Sequence, residues 1–248
     1  MLPFVASLGC RRLLRTLAVT VTLGAALVAL SVIVPARAAE PPLKIGIIGT
    51  GRIGSALARH WVAAGHEVLM SSRHPDELRS LAAELGPRAH VGTPKEAAAF
   101  GTVVLVSIPY AAMPQIGEDL QSELAGKIIL DTSNPSERRD GAMAVDAQKK
   151  GAGFATAQFL HSPRVVRAFN CIGAASLLND GNHKPERFAI PIGGDDPAAL
   201  KVAERLVRDA GFDPVFVGSL LDTKQFDLGQ PLATGSLTAA EMHKRMGH

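Results

Sequence analysis

Cysteine, tyrosine and tryptophan are nearly absent from the 248 residues, which include two Cys, one Tyr and one Trp. Cys10 falls in an N-terminal leader, so Cys171 has no intrachain partner and no disulfide framework is expected. The eight His contain no H-x-x-x-H pair, which removes that class of metal site. His161 and His183, beside Ser162 and Lys184, read as solvated side chains. There are no internal repeats and no long low-complexity tract. A basic surface is also lacking. Residues 1–38 hold four Arg and no acid, and without them the chain has 22 basic against 23 acidic residues, so the net charge moves from +3 to −1. The basic balance of the full chain therefore gives no support to nucleic-acid or membrane-surface binding.

Residues 1–38 read as a cleavable signal peptide. Arg11, Arg12 and Arg15 form a basic start, Thr16 to Val34 is an uncharged apolar run, and Ala36-Arg37-Ala38 is an A-x-A cleavage signal. The run is nearly long enough for a retained membrane anchor, the rival reading. Export to the periplasm is expected, with no membrane attachment after cleavage. The Arg11-Arg12 pair points to a leader of twin-arginine type, which carries proteins already folded around cofactors. Cys10 and Arg15 depart from the usual pattern of such leaders.

After the leader, an apolar run (L-K-I-G-I-I-G) leads into G-T-G-R-I-G at 49–54 and later M-S-S-R at 70–73. Gly49, Gly51 and Gly54 stand where a strand turns sharply, where a pyrophosphate approaches the backbone, and where a helix packs close to the sheet. The helix pattern from Ile53 to Ala64 aims its free N–H groups at the phosphates. An acid at the end of the second strand would select NAD, and none is there. Ser72 and Arg73 offer a hydroxyl and a guanidinium to a 2′-phosphate instead, so NADP is the expected cofactor.

Apolar strand-like runs then alternate with helix-like segments. Strands are expected at 67–72, 89–91, 102–108, 127–132, 165–169, 188–192 and 214–217, with helices at 75–85, 94–100, 112–124 and 197–210. Such alternation implies an α/β fold, a doubly wound parallel sheet of Rossmann-like type, over residues 39–221. From 222 to 248 the pattern fades into an irregular tail with one short helix, Leu237 to Met246, capped by Thr238.

In such a sheet, ligands lie over the carboxyl ends of the strands. Those ends present Ser107, Ile108 and Pro109, then Asp131 to Pro135 with Asn134, then Asn170 and Cys171. Pro109 and Pro135 hold the chain extended there. Asp131 also reads as a cap for nearby amides, Asn134 as a turn starter, and Cys171 as a small buried residue. Asp195 and Asp196 read as a helix cap. Tyr110 has Pro114 four residues on, so the Tyr and Lys dyad of short-chain dehydrogenases is missing. No general acid or base stands out. Hydride transfer between two ring systems needs none, because positioning is most of the protein's contribution.

As an ordered set, G-T-G-R-I-G at 49, S-S-R at 71, V-S-I-P at 106, D-T-S-N-P at 131, V-V-R-A-F-N at 165 and G-G-D-D-P at 193 resemble the deazaflavin F420-dependent NADP reductases. Their fold is related to the N-terminal domain of pyrroline-5-carboxylate reductase. Similar domains in membrane metalloreductases pass electrons from NADPH to flavin. The resemblance implies that Thr50, Gly51, Arg52 and Ile53 bind the pyrophosphate and Ser72 and Arg73 the 2′-phosphate. It places Ile108, Pro109 and Asn134 near the nicotinamide, and it implies a small redox acceptor, F420 or a flavin. Asp76 and Glu77 stand where family members can carry a further base. Two other readings stay open: an imine or 3-hydroxy acid reductase, which would use a helical partner domain in a homodimer, and a non-catalytic dinucleotide-binding module. The leader makes its own prediction. Mass analysis of the protein from its native compartment should give a chain beginning at Ala39, and an intact mass beginning at Met1 would contradict it.

Overall fold

Eight strands form one sheet in the computed structural model, which describes residues 40–247; the leader expected at 1–38 lies outside the described residues. The strands are β1 (Lys44–Ile48), β2 (Glu67–Ser71), β3 (Ala89–Gly92), β4 (Val103–Val106), β5 (Ile128–Asp131), β6 (Val165–Arg167), β7 (Ala189–Gly194) and β8 (Asp213–Gly218). Their order is β3-β2-β1-β4-β5-β6-β7-β8. The first six run parallel, as expected for helical crossovers. The expected doubly wound parallel sheet is present, with one antiparallel pairing. β7 is antiparallel to β6, pairing Val166 with Gly194, and β8 is parallel to β7.

Why the central strands read as unbroken apolar runs is clear from their two faces. Ile45, Ile47, Val103, Leu105 and Leu130 point into a core that includes Trp61, Phe169, Leu206 and Phe212. Ile48, Val104, Val106 and Ile129 point into a second core with Tyr110, Met113, Ala155 and Leu160. Alternate residues thus serve opposite faces, and both faces are dry. Trp61 settles its indole N–H on the Leu206 carbonyl at 2.9 Å.

The helix Arg52–Ala63 starts at the glycine turn, and Pro197–Asp209 is capped by Asp196, whose carboxylate accepts from the Ala199 N–H at 2.7 Å. Between β5 and β6 the chain forms three helices that the sequence pattern did not announce: Glu137–Asp140, Ala142–Lys150 and Ala152–Phe159. Residues 222–226 form a 3₁₀ turn, and Ala239–Met246 is a helix whose Thr238 and Glu241 make a reciprocal capping box. Phe226, Leu232, Leu237 and Met242 build a third core with Ala189 and Val215, so this segment packs against β7 and β8.

One titratable group pins the start of β1. His66 is buried, accepts the Leu43 N–H on Nδ1 at 3.0 Å and donates from Nε2 to Asp209 at 3.0 Å. Burial pushes its pKa below the ordinary histidine value, more than the Asp209 carboxylate raises it. The neutral ring therefore belongs to the folded state. Its contribution to stability is complete above about pH 6.5 and is lost as the pH falls below that, because the unfolded chain takes up the proton the fold resists. Urea unfolding should show a lower midpoint at about pH 5.5 than at about pH 7.5, and a smaller drop for His66→Asn. An identical drop in the variant would contradict this.

Candidate active site

The turn after β1 is built by two close approaches. Gly49 has φ +94, and a Cβ on it would collide with the Ser107 carbonyl. A Cβ on Gly54 would lie 2.5 Å from the Gly49 carbonyl oxygen. These two glycines bring β1, β4 and the helix Arg52–Ala63 together. Gly51 differs, because a Cβ there would meet nothing within 4 Å. It faces open space, with the helix's first N–H groups around it lacking carbonyls a turn earlier. Thr50 departs from the role implied for it. Its N–H and its hydroxyl both donate to the Ser71 carbonyl, at 2.9 and 3.1 Å, so it ties β1 to β2, while the N–H groups of Gly51, Arg52 and Ile53 at the start of the helix are left open.

At the end of β2, Ser72 accepts the His74 N–H at 3.0 Å and keeps its hydroxyl proton to donate. Arg73 is exposed and makes no hydrogen bond or ion pair among the described residues. The neighbouring Asp76 carboxylate is taken by Arg79 at 2.8 Å, so that acid is partly neutralised within its own turn.

Over the ends of β1, β4, β5 and β6 lies a cleft of about 660 Å³. It brings together Gly51, Arg52, Ile53, Ser107, Ile108, Pro109, Asn134 and Asn170 from the expected set, and adds Arg139, Cys171 and Leu228. Gly49, Thr50 and Gly54 support it from behind, and Ser72 and Arg73 stand outside it at β2. A smaller recess of about 240 Å³ shares Asn134 and Leu228 and is walled by Gln148, Lys224 and Gln230.

The cleft floor rests on a residue that sequence reasoning missed. Arg167 is fully buried in β6, and the β5–β6 register sets it directly beside Asp131. Its guanidinium donates to Asp131 at 2.9 Å, to the Ser133 carbonyl at 2.8 Å, to Asn134 Oδ1 at 3.0 Å and to Asp227 at 3.1 Å. Asp131 also accepts from Thr156 Oγ1 and from the Ser133 N–H, which is the amide cap expected of it. Burial pushes the Asp131 carboxyl above its ordinary range, and the Arg167 guanidinium opposes that. The available signal was an Arg inside an apolar strand beside an Asp ending the neighbouring strand, since a buried charge requires a partner.

Asn170 follows Phe169, which has φ +60, a conformation that costs a bulky residue on the order of 1–3 kcal/mol. The bend sets the Asn170 amide N–H on the Phe226 carbonyl at 2.9 Å, while its backbone carbonyl accepts from Asn134 Nδ2 at 2.7 Å. With its orientation fixed, Asn170 Oδ1 is left buried and without a partner. A buried acceptor left over in a residue that lines the cleft calls for a donor, a water or a ligand. Cys171 is buried beside it, its thiol pushed up to about 12 by burial, so it is no nucleophile at neutral pH. Tyr110 is buried, donates to the Ala152 carbonyl at 2.9 Å, and is likewise raised by burial. Among the described residues no group of His, Cys, Asp and Glu could hold a metal ion, and no helix is long and apolar enough to cross a membrane.

Residues 44–135 match the family described as NADP oxidoreductase, coenzyme F420-dependent. The chain is similar to the F420-dependent NADP reductase of Methanothermobacter marburgensis, 31% identical over 204 residues that cover 77% of this chain and 90% of the relative. It is also similar to Metalloreductase STEAP3 of Rattus norvegicus, 30% identical over 190 residues, 74% of this chain but only 36% of that protein's length. Among solved structures, a hypothetical protein from Sinorhizobium meliloti superposes with a TM-score of 0.68 at 26% identity, covering 79% of this chain and 95% of the other.

The buried network makes a stability prediction. Arg167→Met leaves Asp131 buried without its cation and should cost about 3–5 kcal/mol in urea unfolding; a loss within about 0.5 kcal/mol, the scale of a surface substitution, would contradict the network's place in the fold.

Proposed function

The chain belongs to the F420-dependent NADP reductase family and is an NADP-dependent oxidoreductase, and from that premise we propose that it transfers hydride between NADP(H) and a deazaflavin or flavin-like acceptor. The observation that carries the proposal is the chemistry of the cleft lining. It offers donors for phosphates and an acceptor for a carboxamide, but no side chain that exchanges a proton near neutral pH. Its titratable residues are Arg52, Arg139 and Cys171. Arginine does not give up its proton in this range, and the Cys171 thiol is raised to about 12. Reduction of an imine or a ketone requires a proton for the nitrogen or oxygen formed, and a positioned acid ordinarily supplies it. Hydride delivery to a ring acceptor, at C5 of a deazaflavin or N5 of a flavin, leaves a negative charge delocalised over the ring that takes its proton from solvent, so it makes no such demand on the protein.

In this reading the N–H groups of Gly51, Arg52 and Ile53, at the positive end of the helix, hold the pyrophosphate. Ser72 and Arg73 hold the 2′-phosphate. Asn170 Oδ1 accepts from the carboxamide and fixes the face of the ring, and Ile108 and Pro109 pack beside it. Bound NADPH supplies the hydride. The protein's work is to set distance and orientation and to exclude water from the reacting faces.

The test is to mix the purified protein with NADPH and F420 or FMN and follow loss of the NADPH absorbance. Turnover with at least one is expected, with a single-turnover rate that stays flat between about pH 6 and pH 8. No turnover with either, or a rate that titrates in that range, would contradict the proposal. Arg73→Ala should weaken NADPH binding about tenfold or more while changing NADH binding little, since charge-assisted contacts to a phosphate are the strong ones; unchanged NADPH affinity would remove the assignment of Arg73 to the 2′-phosphate.

A further inference from the structure

Arg139 lines the cleft yet has no part in holding the dinucleotide as described above. Its surroundings are unusually well constructed for a surface arginine. The Asp140 side chain is fully buried and accepts four N–H donors: Arg139 Nε at 2.8 Å, Arg139 Nη2 at 2.8 Å, Ser136 N at 2.9 Å and Ala111 N at 3.2 Å. The Arg139 Nη2 group also donates to the Asn134 carbonyl at 2.7 Å. The guanidinium is therefore held in one orientation by a carboxylate that solvent does not reach, while its side chain remains 48% exposed. Nη1 makes no hydrogen bond among the described residues. A preorganised guanidinium with free N–H groups at a cleft wall is an anion receptor, because the rotamer entropy of a long side chain is already spent.

The position of Arg139 in the sheet says which anion. It sits just past the loop that leaves β5, and the strand order places β5 two steps from β1, on the far side of β4 from β2. The Asp140 that holds it also accepts the Ala111 N–H just past β4, so the clamp stands at the β4 and β5 ends of the cleft, past the phosphate turn at β1. The dinucleotide, read from Arg73 at β2 through Gly51 at β1 toward β4, has its phosphates behind it by then. An anion that meets Arg139 belongs to the molecule approaching the nicotinamide end.

We propose that Arg139 binds an anionic group, phosphate or carboxylate, on the flexible side chain of the acceptor, and that Asp140 is its positioning residue. This rests on the ring-acceptor reading given above. FMN and riboflavin probe it directly, since they share a ring and differ by one phosphate. With the full chain loaded with NADP⁺, flavin fluorescence titration should show FMN binding about tenfold or more tightly than riboflavin. In Arg139→Gln that ratio should fall to within about twofold, with Arg139→Lys intermediate because an ammonium keeps the charge but not the fork. Asp140→Asn should lower the ratio although Arg139 is retained, because the guanidinium is no longer held in one orientation. A ratio near one in the unmodified protein, an unchanged ratio in Arg139→Gln, or no measurable FMN binding would overturn the proposal. A loss of NADP⁺ affinity in Arg139→Gln as large as the loss for FMN would assign the arginine to the dinucleotide instead. If NADPH reduces neither flavin nor F420, the hydride-transfer reading fails, and the binding ratio still decides the role of Arg139.

Discussion

A guanidinium without access to water must find its partners inside the protein, and the placement of Arg167 organises everything near the cleft floor. Its donors reach Asp131 on β5, the Ser133 and Asn134 loop, and Asp227 in the C-terminal segment. The segment 131–134, Arg167 on β6 and Asp227, far apart in sequence, are thereby locked at one point. Buried ion pairs of this kind are often no more stabilising than apolar packing of the same volume. What this one supplies is position: Asn134 is held by Arg167, and Asn170, whose Oδ1 is buried without a partner, is held by Asn134 and Phe226 among the residues that line the cleft. The strained backbone at Phe169 is tolerated because these contacts over-determine it.

Much of this was legible in the residues, and the reasons differ by element. The glycine turn, β1, β2, β4 and β5 follow from unbroken apolar runs joined by a motif whose spacing has one mechanical explanation. The helix Pro197–Asp209 announces itself by period and cap. The helices Ala142–Lys150 and Ala152–Phe159 do not, because small residues and two glycines, Gly151 and Gly153, blur any apolar stripe, and the second helix is buried on several sides. The direction of β7 was not readable either. A strand buried on both faces carries no mark of whether its neighbour runs with it or against it.

The site divides in the same way. Contacts made by backbone geometry at the glycine turn were visible, as was the pair of half-buried Ser72 and exposed Arg73. Contacts that depend on pairing across strands were not: Arg167 with Asp131 needs the register of β5 against β6, and the Arg139 and Asp140 clamp needs the helix turn Glu137–Asp140. The Thr50 donors, both turned to the Ser71 carbonyl at the end of β2, likewise need the pairing of β1 with β2.

The central claim is that the network under Arg167 presents Asn170 Oδ1 to the nicotinamide end of a dinucleotide whose other end is held at β1 and β2. Calorimetric titration of the unmodified protein and of Asn170→Ala with NADP⁺ and with 2′,5′-ADP, which lacks the nicotinamide half, tests it most directly. The expected result is a loss of about tenfold for NADP⁺, the size of one hydrogen bond to a buried acceptor, with 2′,5′-ADP affinity unchanged. Equal losses for both ligands, or none for either, would contradict it.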